Sequence, residues 1–288
     1  LWSGAISFVL GLALGVLLTV TKPGGNLGER KKRGIPYCSS LILLVNPHIN
    51  NFIAVLDGAL ITNMRTGAQT AVALKYLLGL KDGERRPIHL GIYGAGMQGH
   101  MQTRAISTLF DIEELRIYDV SRAALERFRE DMQSAIPGRI ILCDDPKDAA
   151  QGDAVICVTQ SKDGFLKEEW LSPETIVFPM GSYQECEDDV LLHADKIVVD
   201  HVEQTLHRGA LSKLAAEGKI TRESITCTIG ELVAGRAELH REPGQRIVCL
   251  PIGTGAMDIG CASVVYQRAL EQKRGQFFDF GVSSATEW

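Results

Sequence analysis

The chain has 288 residues, 45% of them hydrophobic, with a formal net charge of -5, enough apolar material for one large or two modest domains. The acidic balance, with basic residues bunched only at Arg30 to Arg33, gives nucleic acid no electrostatic footing. Seven scattered cysteines and seven scattered histidines, without Cys-x-x-Cys or His-Glu-x-x-His spacing, argue against a metal site or a disulfide framework and read as reduced thiols of a cytoplasmic protein.

Leu1 to Thr21 carries no charge and is long enough to cross a bilayer as a helix. Gly4, Gly11 and Gly15 interrupt it, and Val16, Thr19, Val20 and Thr21 suit a buried strand, so core strands and a membrane segment both stay open, the glycines weighing against the membrane. The missing initiator Met reads as a truncated N-terminus. Residues 1 to about 56 otherwise read as strands and loops, with apolar runs at Val16 to Val20 and Leu41 to Val45. The spacing of Ala68, Ala71, Val72, Leu74, Lys75 and Leu78 predicts a helix over Arg65 to Leu78, and the polar stretch Lys81 to Pro87 marks a boundary. A domain is expected over 76–254, with a second built from 1–75 and 255–288.

Within 76–254, short apolar runs near 88–93, 114–119, 139–143, 154–159, 175–180 and 195–199 alternate with helical segments. One of those helices is marked by Leu125, Phe128 and Met132. Six strands with helical crossovers predict an α/β fold with a Rossmann-type doubly wound parallel sheet. A further strand, Arg246 to Leu250, precedes the turn Gly253-Thr254-Gly255 and a final helix to about Leu270.

The first of the six strands runs into Gly94-Ala95-Gly96-Met97-Gln98-Gly99, a Gly-x-Gly-x-x-Gly turn. In a dinucleotide site, Gly94 makes the sharp turn, Gly96 admits the pyrophosphate, Gly99 permits close packing of helix on strand, and the helix N–H groups face the anion. Met97, Met101, Ala105 and Leu109 continue at helical spacing. Asp119, 20 residues beyond Gly99, ends the second strand where a ribose-binding acid belongs. A carboxylate there favours NAD over NADP, although Arg122 close by keeps NADP open. Three other clusters fall at strand ends, where a doubly wound sheet holds its ligand: Val158 to Ser161 with Thr159, Pro179 to Tyr183 with Gly181 and Ser182, and Gly253 to Asp258.

Asp57 to Ala68, the Gly94 turn, Lys167-Glu168-Glu169-Trp170-Leu171, Ile229 to Gly235 and Met257-Asp258 together resemble the ornithine cyclodeaminase/mu-crystallin family, in order from Gly15 to Leu270. The resemblance implies a homodimer in which a Rossmann domain is joined to a smaller α+β substrate and dimerisation domain made from both chain ends, with the active site between them. It implies NAD as cofactor, a small amino or imino acid as substrate, and cofactor contacts from Arg65 and its neighbour Thr66. A guanidinium fork near a helix start suits that task because it can hold a phosphate bidentately.

Two departures from the family pattern bear on chemistry. Cyclodeaminases carry an aspartate where this chain has Ser182, and serine cannot accept a proton near neutral pH without an activating base. The lysine that the family strand after Gly15 turns towards the substrate is Leu17 here, and no upstream arginine is available for the substrate carboxylate. Three functions therefore stand: an NAD-dependent amino-acid dehydrogenase or ketimine reductase, an ornithine cyclodeaminase disfavoured by Ser182, and a non-catalytic nucleotide binder that lost its substrate clamp.

Overall fold

In the computed structural model, which describes residues 6–11, 15–20, 33, 39–46, 51–180 and 184–278, the chain divides into two units. One is Leu1–Ile61 with Thr254–Trp288, the other Thr62–Gly253.

The first unit is a four-stranded antiparallel sheet in the order β1 (Ile6–Gly11), β2 (Gly15–Val20), β3 (Ser39–Asn46), β4 (Asn51–Asp57). Within the uncharged N-terminal segment, Ile6–Gly11 and Gly15–Val20 thus form an antiparallel strand pair, and no helix among the described residues is long and apolar enough to cross a membrane. Alternation along the strands sends Ile42 and Leu44, with their cross-strand partners Leu56 and Ala54, to one face. There they meet Ile259, Ala262 and Tyr266 of the last helix, which packs on β1, β2 and β3.

The second unit holds α1 (Gly58–Leu77) from Thr62 onward, then β5 (Pro87–Tyr93), α2 (Met97–Ser107), β6 (Asp111–Tyr118), α3 (Arg122–Met132), β7 (Arg139–Leu142), β8 (Ala154–Cys157) and β9 (Ile176–Pro179). The short α4 (Asp188–Leu192), β10 (Lys196–Val199), α5 (Val202–His207), α6 (Ser212–Ala216), β11 (Cys227–Thr228), α7 (Ile229–Val233) and β12 (Ile247–Leu250) complete it. The last helix of the chain, α8 (Gly255–Glu271), belongs to the first unit. All eight strands are parallel, in the order β11-β10-β12-β9-β8-β5-β6-β7. The expected six strands form this sheet with two more: the two-residue β11 at an edge, and β12, which inserts between β10 and β9 instead of following the sheet.

Because successive strand residues point to opposite faces, each central strand feeds two cores. Ile92, Ile117, Ile156, Phe178 and Cys249 join a cluster with Leu74 of α1, Ile106 of α2 and Phe128 of α3. Tyr93, Val155, Val177, Val199 and Leu250 join the other with Leu166, Leu191 and Leu214. Helix α3 is capped by the Ser121 side chain, which accepts from Ala124 N at 3.3 Å, and buries the predicted Leu125, Phe128 and Met132. Helix α2 departs from its predicted face. It buries Gly99, Gln102, Thr103 and Ile106, leaving Met97 58% exposed. The close seat of Gly99 on the turn before it rotates the small and polar side inward.

Candidate cofactor site

The site is built on the turn that links β5 to α2. Gly94 adopts φ +108°, and a Cβ there would stand 2.8 Å from the Val158 carbonyl oxygen, so only glycine lets the turn lie against the end of β8. A Cβ on Gly99 would collide with the Gly94 carbonyl, whereas one on Gly96 would meet nothing within 4 Å. Thus Gly94 and Gly99 serve tight packing, and Gly96 faces open space at the start of α2. No side chain caps that helix and no acidic residue occupies its first turn, so its N–H groups at Met97, Gln98 and Gly99 lack an intrahelical partner at the positive end of the helix dipole.

Asp119 follows β6 directly and closes the turn from the neighbouring strand. Its Oδ2 accepts from Ala95 N at 2.8 Å and its Oδ1 from Ser121 N at 2.8 Å. Each oxygen keeps a lone pair for a further donor. Arg122, which kept a 2′-phosphate open, instead pairs with Asp144 at 2.9 Å and Glu126 at 3.2 Å.

Helix α1 touches α2 at two points: Gly67 lies against the Met101 carbonyl, and Asn63 Oδ1 accepts from Gln98 Nε2 at 2.9 Å. Arg65 on α1 places its guanidinium against Gly253, whose φ is +86° and whose Cβ, were there one, would overlap Nη1. Thr66 is turned into its own helix, its hydroxyl donating to Thr62 O at 2.7 Å. Gly253 N donates to Asp200 Oδ2 at 2.5 Å, and Gln69 Nε2 donates to the same oxygen at 3.0 Å. Because a carboxylate only accepts, the Gln69 amide orientation is fixed, and its Oε1, like Asp200 Oδ1, is buried without a partner.

Thr159, just past β8, is held by Glu185. The Glu185 Oε1 accepts from Thr159 N at 2.5 Å and from Thr159 Oγ1 at 2.7 Å. Burial pushes the fully enclosed Glu185 carboxyl up to about 7, against the pull of the two Thr159 donors and of the Met180 backbone. Gly181 and Ser182 lie outside the described residues, as does the Leu17 side chain of β2.

The structure thus gathers Gly94, Gly96, Met97, Gln98, Gly99 and Asp119 at one turn, with Thr159 beside it through Val158, and links Arg65 to Gly253. The sequence alone singles out neither Gln69 nor Asp200, carries Asn63 only inside the Asp57–Ala68 motif, and offers Glu185, with Asp258, only as a group that could take the proton-transfer role absent at Ser182. Asp200 ends β10, the same type of position that drew attention to Asp119, and that signal could have found it. Two motifs that carried the family resemblance build the frame instead. Glu168 pairs with Arg246 and His193, both at 2.7 Å, and Glu231 forms a capping box with Thr228 at the start of α7.

Residues 15–273 match the ornithine cyclodeaminase/mu-crystallin family. The N-((2S)-2-amino-2-carboxyethyl)-L-glutamate dehydrogenase of Staphylococcus aureus is 31% identical over 258 residues, 88% of this chain and 74% of that protein. Among solved structures, an archaeal alanine dehydrogenase dimer with bound NAD matches with a TM-score of 0.79 and 29% identity, over 93% of this chain and 81% of that one. The Delta(1)-pyrroline-2-carboxylate reductase of Thermococcus litoralis, in complex with NADH and L-proline, matches with a TM-score of 0.81 and 27% identity, over 92% and 81%. With its eight-stranded parallel sheet and glycine turn, the chain belongs to the ornithine cyclodeaminase/mu-crystallin family.

Proposed function

We propose that this protein is an NAD-dependent oxidoreductase acting on the C–N bond of a small amino or imino acid, as an amino-acid dehydrogenase or ketimine reductase. The observation that carries the cofactor is Asp119, fixed on Ala95 N at the end of β6, beside a glycine turn with open space at Gly96. The donor set fits a dinucleotide. The free N–H groups at Met97 and Gln98, with Arg65, would hold the pyrophosphate, and Asp119 would accept from the ribose diol. Pairing of Arg122 with two carboxylates supports NAD over NADP, because a 2′-phosphate would need that cation. Thr159 and Gly253 would line the nicotinamide end, and Gly181 is kept as a cofactor-binding candidate on its sequence position alone. When bound, the nicotinamide supplies the hydride acceptor or donor for the carbon that bears nitrogen.

The substrate class rests on the relatives, which are named for dehydrogenation of amino acids and reduction of a cyclic imino acid. Ser182 argues against cyclodeamination, because it cannot act as the proton acceptor that the aspartate supplies in cyclodeaminases. We assign cofactor binding to the second unit, Thr62–Gly253, which carries Arg65 and so begins earlier than the expected 76, and substrate binding and dimerisation to the first. A homodimer is supported by an apolar sheet face: Leu41, Phe52 and Val55 are more than half exposed on the side of β3 and β4 opposite Ile42 and Leu44. Buried free thiols at Cys143, Cys157, Cys186, Cys227 and Cys249 support a reducing compartment, the cytoplasm.

Titration of bound-NADH fluorescence, followed by a screen of amino acids with NAD and of α-imino acids and cyclic ketimines with NADH, tests this reading. Turnover with at least one such substrate is expected. Tight NADH binding with no turnover across the screen would replace the enzyme with a nucleotide binder, and absence of NADH binding would overturn the reading altogether.

A further inference from the structure

Glu185 is placed where a stability argument alone would not put it. Its side chain is fully buried, Oε1 takes both hydrogen bonds, and Oε2 has no partner. A buried carboxyl with one oxygen unpaired costs free energy that an apolar residue or a better-paired amide would avoid.

What Glu185 does hold is a loop, at both ends. Its side chain accepts from Thr159 N and Oγ1 at the start, and its own carbonyl accepts from Phe165 N and Leu166 N, each at 3.1 Å, at the finish. A bridge between Leu166 and Cys186 continues the closure. The Thr159 hydroxyl donates to Glu185 and in turn accepts from Ser161 N at 3.2 Å, so the first turn of the loop hangs on the one carboxyl.

That loop borders the cofactor turn, because Val158, the residue before Thr159, lies against Gly94. Its side of the turn follows from strand order. Asp119 ends β6 on one side of β5, while β8 and then β9 lie on the other. A dinucleotide with its pyrophosphate at α2 and one ribose at Asp119 must run its other half across the ends of β8 and β9, over Thr159.

We propose that Glu185 is a positioning residue that holds the Thr159–Gly164 loop in the shape that receives the nicotinamide half of the cofactor. The proposal rests on the NAD reading above. It gives the buried carboxyl a use that offsets its cost: the charged form accepts both Thr159 donors more strongly than a neutral oxygen does, and fixes the seat before the ligand arrives.

The test compares Glu185→Gln with the unmodified protein at pH 8, using NADH and ADP-ribose, which shares only the adenosine, pyrophosphate and ribose portions. A glutamine keeps one acceptor but puts an N–H2 group where Oε2 finds no partner. The NADH Kd should rise about tenfold, the effect of one charge-assisted hydrogen bond, while the ADP-ribose Kd stays within about twofold. Amide exchange over 159–166 without ligand should quicken. Thr159→Val, which deletes only the hydroxyl link, should shift NADH in the same direction, and Thr159→Ser should restore it. An unchanged ratio of the two Kd values in both Glu185→Gln and Thr159→Val would overturn the proposal and leave the cofactor reading standing. Failure of the unmodified chain to bind NADH would overturn both.

Discussion

The Asp119 carboxylate accepts a hydrogen bond from Ala95 N at 2.8 Å, so the end of β6 and the glycine turn after β5 share one fixed anion. Both oxygens are engaged with backbone N–H groups, the second with Ser121, which makes the side chain a strut as well as a candidate ribose ligand. Asp119→Ala should therefore relax the preference for NADH over NADPH and weaken NADH, read as the ratio of their Kd values. Asp119→Asn is not a conservative change here. An amide must turn its N–H2 group towards one of the two backbone donors, leaving that N–H unsatisfied at a cost of about 1–3 kcal/mol. Comparable Kd values for NADH and NADPH in the unmodified protein would sink the assignment.

Gly253 combines two demands that a methyl group cannot meet. Its φ of +86° is unfavourable for an L side chain, and a Cβ would overlap the Arg65 guanidinium. Gly253→Ala should cost about 1–2 kcal/mol from the backbone and, by moving Arg65, should weaken NADH as well. Gly244→Ala supplies the control, since its φ of +83° is similar but its Cβ would meet nothing within 4 Å. Equal loss of NADH affinity in the two variants, measured by fluorescence titration, would show that the contact with Arg65 carries no part of cofactor binding.

Local signals brought out the sheet and missed what is assembled across it. The run near 88–93 is β5 and that near 139–143 is β7, because an apolar stretch bounded by turn residues reports its own strand. Helix α1 begins seven residues before the expected Arg65. The signal was present in Asp57, whose Oδ1 accepts from Ala59 N at 2.8 Å and marks the helix start. β11 has two residues, too short for any periodicity. Asp119 was legible because its offset from the glycine turn is set by one βαβ unit. Gln69 and Asp200 are 131 residues apart, and Thr159 and Glu185 are 26 apart, so only the folded sheet brings each pair together.

The exposed apolar face of the first sheet predicts an assembly. Leu43 pairs with Val55 and Val45 with Phe52 across β3 and β4, so a charge at either β4 position enters the middle of that face. Light scattering of the unmodified protein should give twice 31.4 kDa. Phe52→Glu and Val55→Glu should shift it to the monomer mass without unfolding the second unit, as followed by far-UV circular dichroism. An unmodified protein that stays monomeric at micromolar concentration would refute the dimer.

Glu185 also predicts how stability varies with pH. Its carboxyl, ordinarily near 4.5, is raised to about 7 by burial, so folding favours the protonated form. The stabilisation tied to protonation is complete below about pH 4.5, declines as pH rises from there through about 7, and is gone above it. A tenfold change in proton affinity is worth about 1.4 kcal/mol, which makes the decline about 3 kcal/mol. Glu114 and Glu168 are shifted the other way by their arginine and histidine partners, so the raw profile mixes several groups. The difference between the unmodified protein and Glu185→Gln isolates the one of interest, since glutamine does not titrate and the other groups cancel. The unpartnered N–H2 group of the glutamine adds an offset that is the same at every pH, so the quantity read is the change: from pH 4 to pH 8 the glutamine variant should gain about 3 kcal/mol on the unmodified protein in urea unfolding, even as it binds NADH less tightly. Parallel stability curves across pH 5 to 8 would mean that the Glu185 carboxyl is already ionised at pH 5, and that burial does not hold its proton.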